Sequence, residues 1–359
     1  MKLKYSNENI NNQKFLKTSY VEYLDKNLRI TKLYQKDQVL QENYVHQFDD
    51  IISIFRDDGK TLIFDMFMVK NKLVMICAIY FQEDKEFKKI LVNGKKPVEK
   101  VMRTRPEPIL ILTFDCNNEF EFNYREITYQ FNLEKGQQEK KQLITTTLFL
   151  GDYHLFEMYY QHYQMLGVEK FIMYYNGKLN DKIINLFDKP NVILLEWNFN
   201  YWNKGKQIFR HHAQIGQINV AFYKYGKNFS KYFLSNDLDE YIIHDNLPNL
   251  LNNSDAYDNI LFKNTWVKGE NLNHFQYLKM NNKNLGPYVR SVYFRAKMIH
   301  RCKKISIVNI HYGRTNGKTK TLIDDKLFFL HFMNINRNVG HLKFSKKIFK
   351  VKKLKILEK

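Results

Sequence analysis

Between residues 143 and 241 apolar segments of two different periods take turns, and that alternation restricts the fold more than anything else in the chain. Ile144–Leu150, Phe171–Tyr175 and Val192–Trp197 are short runs rich in β-branched and aromatic residues, the pattern of strands. Tyr153–Leu166 places Leu155, Tyr159, His162, Tyr163 and Leu166 on one helical face, and Gly167 closes it. Asp181–Phe187 and His211–Tyr225 read as further helices, the second ending at Gly226. Strands separated by helices predict a mostly parallel sheet covered on both faces, because a parallel crossover needs the length of a helix. The last strand of the series, Tyr232–Leu234, runs into Ser235-Asn236-Asp237-Leu238-Asp239-Glu240-Tyr241. If the extended backbone continues, Asp237 and Asp239 share one side. Ligands of such sheets sit beyond the carboxyl ends of the strands. Two carboxylates there suit a hard divalent cation, Mg²⁺ or Mn²⁺, which can neutralise a diphosphate. The rival reading is a solvated acidic turn.

The first third of the chain follows another pattern. Residues 1–45 form a polar extension rich in Lys and Asn, expected to be extended or partly helical. Residues 46–138 show β features. Thr61–Val69 and Lys72–Phe81 flank the turn Lys70-Asn71, Pro106 and Pro108 precede Ile109–Phe114, and Phe120–Tyr124 and Ile127–Leu133 alternate apolar with polar. A small antiparallel sheet or sandwich is expected there. Gly136–Lys141 reads as a linker, and residues 139–345 hold the α/β domain. Its later strands are expected at Ile260–Trp266, Val289–Lys297, Ile305–His311 and Phe328–Phe332. Residues 346–359 form a basic amphipathic tail, either a solvated helix or a weak contact for an anionic surface.

Composition narrows the class. With 359 residues, 44% of them hydrophobic, the chain is long enough for two domains, and 15% aromatic content excludes disorder. The net charge of +20 attracts polyanions, so a nucleic-acid-binding protein is one alternative. No recognised nucleic-acid motif accompanies the charge, and Lys greatly outnumbers Arg, the residue favoured for reading bases. Cys77, Cys116 and Cys302 are isolated, without zinc spacing, and read as reduced thiols of a cytosol-like compartment. The most hydrophobic stretch, Thr61–Phe81, is interrupted by Asp65, Lys70 and Lys72 and is no membrane span. The beginning lacks the apolar core of a signal peptide, so a cytoplasmic enzyme, or one on the cytosolic side of a membrane, is expected.

The order of motifs resembles the GT-A glycosyltransferases, most closely glycosyltransferase family 92, the galactosyltransferase-like group, over roughly residues 143–345. Gly151-Asp152-Tyr153, Leu166-Gly167-Val168 and Phe171-Ile172-Met173-Tyr174-Tyr175-Asn176 are similar to its opening strand and helix. Gln214 with Asn219-Val220-Ala221 is similar to its helix before the acidic motif, and Asp237-Leu238-Asp239-Glu240-Tyr241 to that motif. Lys297-Met298-Ile299 with His311, and Leu330-His331-Phe332, are similar to its later segments. Asn236 stands where the pattern has an apolar residue, and Met158-Tyr159 where it has an acidic residue and Trp.

The resemblance implies a GT-A-like fold preceded by an accessory β domain. It also implies a metal-dependent, inverting transfer of galactose or a related hexose from a UDP-sugar to a hydroxyl of a glycan or glycoprotein. Asp237 and Asp239 are expected to hold the metal, Asp239 acting in catalysis as well. A late histidine would complete the metal shell; His331 and His311 both qualify, and both also suit a core histidine. Lys297 and Arg301 are candidates for the diphosphate, against a background of many surface cations. Asp152 and Asn176 follow the first two strands, where a nucleoside would rest, although Asn176-Gly177 is equally a turn. Glu270 is the candidate general base, with Asp255 and Asp258 as rivals, and Trp266 offers a stacking face. A HAD-like phosphohydrolase is the other enzyme alternative. There a Thr or Val normally stands two residues after the second Asp; here Glu240-Tyr241 follow.

Overall fold

The computed structural model describes residues 14–16, 21–24, 30–33, 38–40, 45–48, 51–55, 61–79, 84–103, 108–124, 127–133, 139–201, 212–268 and 292–333. Glu270 and the tail 346–359 lie outside them. In the polar extension two short strand pairs appear, Lys14–Leu16 with Gln38–Leu40 and Val21–Leu24 with Ile30–Leu33. They are antiparallel, so the partly helical expectation gives way to strands in what is described there.

Six strands follow: β1 (Val45–Phe48), β2 (Ile51–Phe55), β3 (Thr61–Val69), β4 (Lys72–Ala78), β5 (Glu99–Arg103) and β6 (Ile109–Asp115). They form one antiparallel sheet in the order β5-β6-β4-β3-β2-β1. Lys70, in the turn between β3 and β4, takes the left-handed conformation at φ 58°, which a two-residue hairpin turn requires. β4 shows why the sequence alternates so little. Leu73, Met75 and Cys77 pack toward a three-stranded sheet (Ile90–Val92, Glu119–Tyr124, Ile127–Asn132), while Val74, Ile76 and Ala78 pack the other way. Both faces are covered, so neither needs polar residues.

The second body of structure is an eight-stranded sheet. Its strands are β7 (Lys141–Phe149), β8 (Lys170–Tyr175), β9 (Val192–Glu196), β10 (Ser230–Ser235), β11 (Glu240–Ile243), β12 (Asn259–Lys268), β13 (Val292–Arg301) and β14 (Thr321–Met333). The helices are α1 (Phe156–Met165), α2 (Asp181–Phe187), α3 (His212–Ala221) and α4 (Leu247–Asn252). The strand order is β9-β8-β7-β10-β13-β12-β14-β11. The first four strands are parallel, as their helical crossovers demand. Beyond β10 the pairing changes: β10–β13, β13–β12 and β14–β11 are antiparallel, and only β12–β14 is parallel.

The expectation of a mostly parallel sheet flanked by helices is therefore corrected to a mixed sheet with few helices. After Glu240 the only described helix is the six-residue α4, and the chain from β13 to β14 contains none. The strand expected at Ile305–His311 shrinks to Ile307–Val308, paired with Gly313–Arg314, because the chain turns back where Asn309 N–H donates to the Tyr312 carbonyl at 2.7 Å.

α3 joins the two bodies. All ten of its residues are buried, including the polar side chains of His212, Gln214, Gln217 and Asn219. One hydrophobic cluster runs from Phe64, Phe67 and Ile76 through Ile215 and Ile218 to Ile144, Ile172 and Phe233. At Gly216 the approach is so close that a Cβ would lie 2.7 Å from the Phe64 ring. Phe64 also packs against Trp197 and His212, at centroid distances of 5.8 and 4.7 Å. A buried ion pair, Lys224 Nζ to Asp65 Oδ2 at 3.1 Å, ties β3 to the turn after α3. Among the described residues no helix is long and apolar enough to cross a membrane.

Candidate active site

The β10 strand ends at Ser235, and residues 236–239 turn across the sheet to β11. β13, β12 and β14 lie between β10 and β11, so the turn passes over the strands that carry the later motifs. Asn236 holds its start. Its Oδ1 accepts from Thr145 Oγ1 (3.1 Å) and Tyr159 OH (2.8 Å), and its Nδ2 donates to Tyr163 OH (2.8 Å) and the Glu240 carbonyl (3.0 Å). An apolar residue at 236 would leave those hydroxyls without this partner, which explains the departure from the family pattern. The rest of the turn is fixed by the backbone. Asp237 N–H donates to Glu240 Oε2 (2.8 Å), Phe332 N–H to the Asp239 carbonyl (3.0 Å), and Tyr241 OH to the Leu238 carbonyl (2.9 Å).

Because Asp237 and Asp239 lie in a turn, strand alternation does not orient them, and each has its own surroundings. Gln214, on α3, donates Nε2 to Asp237 Oδ1 at 3.2 Å, while Lys297 Nζ lies 3.6 Å from Asp237 Oδ2. Lys297 makes its shorter contact with Glu240 Oε2, 2.9 Å away, and both of these side chains are buried. His331 faces the other two acids, with Nε2 3.8 Å from Asp239 Oδ2 and Nδ1 3.7 Å from Glu240 Oε1. Strand register places it there: Glu240 is directly opposite His331 in the β11–β14 pair.

Burial opposes the charge on Lys297, but Asp237, Glu240 and Asp239 outweigh it and hold its pKa above the usual value. Burial pushes the Glu240 carboxyl up; Lys297 pulls it down, while Asp237 adds to the rise. Three carboxyl groups, those of Asp237, Asp239 and Glu240, therefore gather beside Lys297 and His331.

His311 also comes near this centre. Its Nδ1 lies 3.2 Å from the carbonyl of Ala296, the neighbour of Lys297, so Nδ1 carries the proton and Nε2 remains a lone-pair donor. Burial, with Lys297 adding to it, lowers the His311 pKa to about 4, and the ring is neutral at pH 7. Of the two histidines, His331 faces the carboxylates directly.

The other expected site residues are spread out. Asp152 follows β7 at the same end of the sheet, its Oδ1 accepting from Leu150 N–H at 3.3 Å. Asn176 is buried, and its Nδ2 donates to the carbonyls of Trp197 (2.7 Å) and Phe199 (2.9 Å). It splices the chain after β8 to the chain after β9, so that amide nitrogen is turned into the protein rather than toward a nucleoside. Arg301 lies at the opposite end of the sheet, paired with Tyr232 at the start of β10, and contacts the Asp255 carbonyl and carboxylate. The separation of Arg301 from the acidic turn corrects its assignment to the diphosphate. Asp255 and Asp258 lie at that far end too, which removes them as rivals for the base.

Two residues near the turn escaped the sequence reading. Gln214 was noticed only as part of a motif; the signal for its role was an amide on a wholly buried helix. Asn264 is fully buried in β12, between β13 and β14. Its register partner is Phe329, as Trp266 is the partner of His331, so Asn264 shares a face with His331 and Glu240. Neither its Oδ1 nor its Nδ2 has a hydrogen-bond partner among the described residues. Buried amides are nearly always paired, so this one points to a ligand or an ordered water.

A divalent ion is the group these residues have to be tested against. Octahedral ligands about 2.1 Å from an ion are about 3 Å apart, so the 3.8 Å between Asp239 Oδ2 and His331 Nε2 is one small adjustment from chelation. No cluster of three ligating side chains is assembled among the described residues. Mg²⁺-type sites commonly use one or two protein ligands and take the remainder from substrate phosphates and water, so the donor set fits.

A family model described as Glycosyltransferase family 92 matches residues 147–357, more than half of the chain and the whole acidic turn with its flanking strands. No curated protein matches the chain.

Proposed function

The chain belongs to glycosyltransferase family 92, and from that premise we propose that it transfers a hexose from a UDP-sugar to a hydroxyl of a glycan or glycoprotein, at a divalent-metal site beside Asp237, Asp239 and Glu240. The observation that carries the reading is the convergence of three carboxyl groups and His331 at the carboxyl end of a parallel strand, with Asp239 Oδ2 3.8 Å from His331 Nε2. Carboxylate oxygens gathered in this way suit a hard divalent cation. Asp239 and His331 would hold the ion, with Asp237 beside them, and Mn²⁺ suits their mixed oxygen and nitrogen donors. The bound ion supplies positive charge to the departing diphosphate.

The chain's own groups do the rest. Lys297 keeps Asp237 and Glu240 together and adds a fixed positive charge where negative charge develops. Gln214 fixes the other oxygen of Asp237. Asn264 offers a donor and an acceptor to a sugar hydroxyl group. Glu270, two residues beyond the end of β12, is the proposed base that takes the acceptor proton in an inverting transfer. The GT-A arrangement, with galactose as the donor sugar, is part of the same proposal.

The test is thermal shift with UDP, UDP-galactose and other nucleotides, with and without Mn²⁺. A ligand that binds only the native state raises the melting temperature. UDP is expected to stabilise the protein only when Mn²⁺ is present, and Asp239→Asn is expected to abolish that shift. A shift without metal, or one that survives Asp239→Asn, sinks the metal site.

A further inference from the structure

At the other end of the eight-stranded sheet lies a pocket of about 460 Å³ lined by Arg301, Lys304, Lys318 and Lys320, together with Asp255 and Asp258. Arg301 and Lys297 are both on β13, four residues apart, so the pocket begins about 13 Å along the strand from the acidic turn. Its two carboxylates are already engaged. Asp255 Oδ1 lies 3.1 Å from Lys231 Nζ and 3.5 Å from Arg301 Nη2, and Asp258 Oδ2 accepts from the Lys320 backbone N–H at 2.8 Å. The ammonium groups of Lys304, Lys318 and Lys320 have no ion-pair partner among the described residues, so the wall presents three uncommitted positive charges to the cavity.

We propose that this pocket is a second binding site, for a tetrahedral oxyanion: a phosphate or sulfate group. Lysine ammoniums are compact point charges and suit an anion whose charge is spread over three oxygens, whereas planar carboxylate recognition favours the arginine fork. A nucleic-acid strand would need a track of cations, whereas these are gathered around one pocket with room for a ligand of saccharide size. In a glycosyltransferase, two sources carry this chemistry: an acidic saccharide, held away from the reacting end, and free phosphate or pyrophosphate. The saccharide source rests on the function proposed above; the oxyanion site itself does not.

The experiment is titration calorimetry on the full chain with a sulfated disaccharide, the same disaccharide without sulfate, and inorganic pyrophosphate. It compares the wild type with Lys318→Glu/Lys320→Glu, with the milder Lys318→Gln/Lys320→Gln in case charge reversal disturbs folding, and with Asp239→Asn. Either anion is expected to bind the wild type, and the charge-reversed variant at least about tenfold more weakly, the scale of one lost charge-assisted hydrogen bond. The neutral disaccharide is expected not to bind, and Asp239→Asn to leave anion binding unchanged. Tighter binding of the sulfated saccharide than of pyrophosphate identifies the saccharide as the source; the reverse identifies free phosphate. No binding of either anion, or equal binding by both lysine variants and the wild type, overturns the site. The Mn²⁺-linked UDP shift is expected to persist in the lysine variants, so failure here is distinguishable from failure at the acidic turn.

Discussion

Lys224 and Lys297 each reach a buried carboxylate, Asp65 at 3.1 Å and Glu240 at 2.9 Å, yet their surroundings differ. Asp65 takes Lys224 as its cation. Asp65 also accepts Ile52 N–H at 2.9 Å, and the pair joins β3 to the turn after α3. Lys297 has Asp237 and Asp239 beside its partner, and the three acids together hold its pKa up against burial. A buried pair of this kind is a brace, and replacing one by apolar groups is often harmless. Several acids meeting a histidine offer oxygen and nitrogen donors to a cation. The difference teaches that burial alone does not mark a site; the number of acids gathered there does.

The largest break in this comparison is Lys297→Met. It removes the ammonium from the buried Glu240 and is expected to cost about 3–5 kcal/mol in urea denaturation. Added Mn²⁺ should recover more stability in the variant than in the wild type. Lys224→Met should cost less, because a lone Asp65 can take up a proton; equal losses in the two variants would erase the distinction.

The pH dependence separates them further. Burial raises the Asp65 pKa from 3.8 to about 6, against the pull of Lys224. The folded protein therefore holds a proton that the unfolded chain releases between these values, and this group's contribution to stability falls as pH rises from about 4 to about 6. Two pKa units correspond to about 3 kcal/mol. Asp65→Asn should remove one proton's worth of slope from the stability profile in that window, and an unchanged slope would contradict the assignment.

Gly216→Ala sharpens the link between the two regions. Its Cβ would press on the Phe64 ring, and overpacking of that kind costs about 1–3 kcal/mol. α3 carries Gln214 as well, so the Mn²⁺-linked response to UDP should weaken along with stability. The smallest effect on stability is expected from Asn264→Ala, within about 1 kcal/mol, because no hydrogen bond is lost among the described residues. Its effect should appear instead as a raised KM for the sugar donor; an unchanged KM would return Asn264 to the core.

Local elements were legible because they follow from local periodicity. Thr61–Val69 and Asp181–Phe187 are observed with the expected bounds, and the strand before the acidic motif is found at Ser230–Ser235. The helix expected at Tyr153–Leu166 begins as a 3₁₀ turn and becomes α-helical at Phe156. Pairing between distant strands was not legible. Nothing in the spacing says that β10 lies beside β13 rather than β11, or that β12 and β14 run parallel. Asp237, Lys297 and His331 were singled out by residue type and order, whereas the separation of Arg301 from them depends on the register between β10 and β13.

The amino-acid order by itself determined the strands, the helices and the acidic turn, since each is dictated by side chains within a few positions of one another. Only the tertiary structure decided which cation meets which carboxylate. A turn that crosses three strands brings groups 57 and 91 residues away within 4 Å of Glu240, and that proximity belongs to the sheet rather than to any segment of the chain.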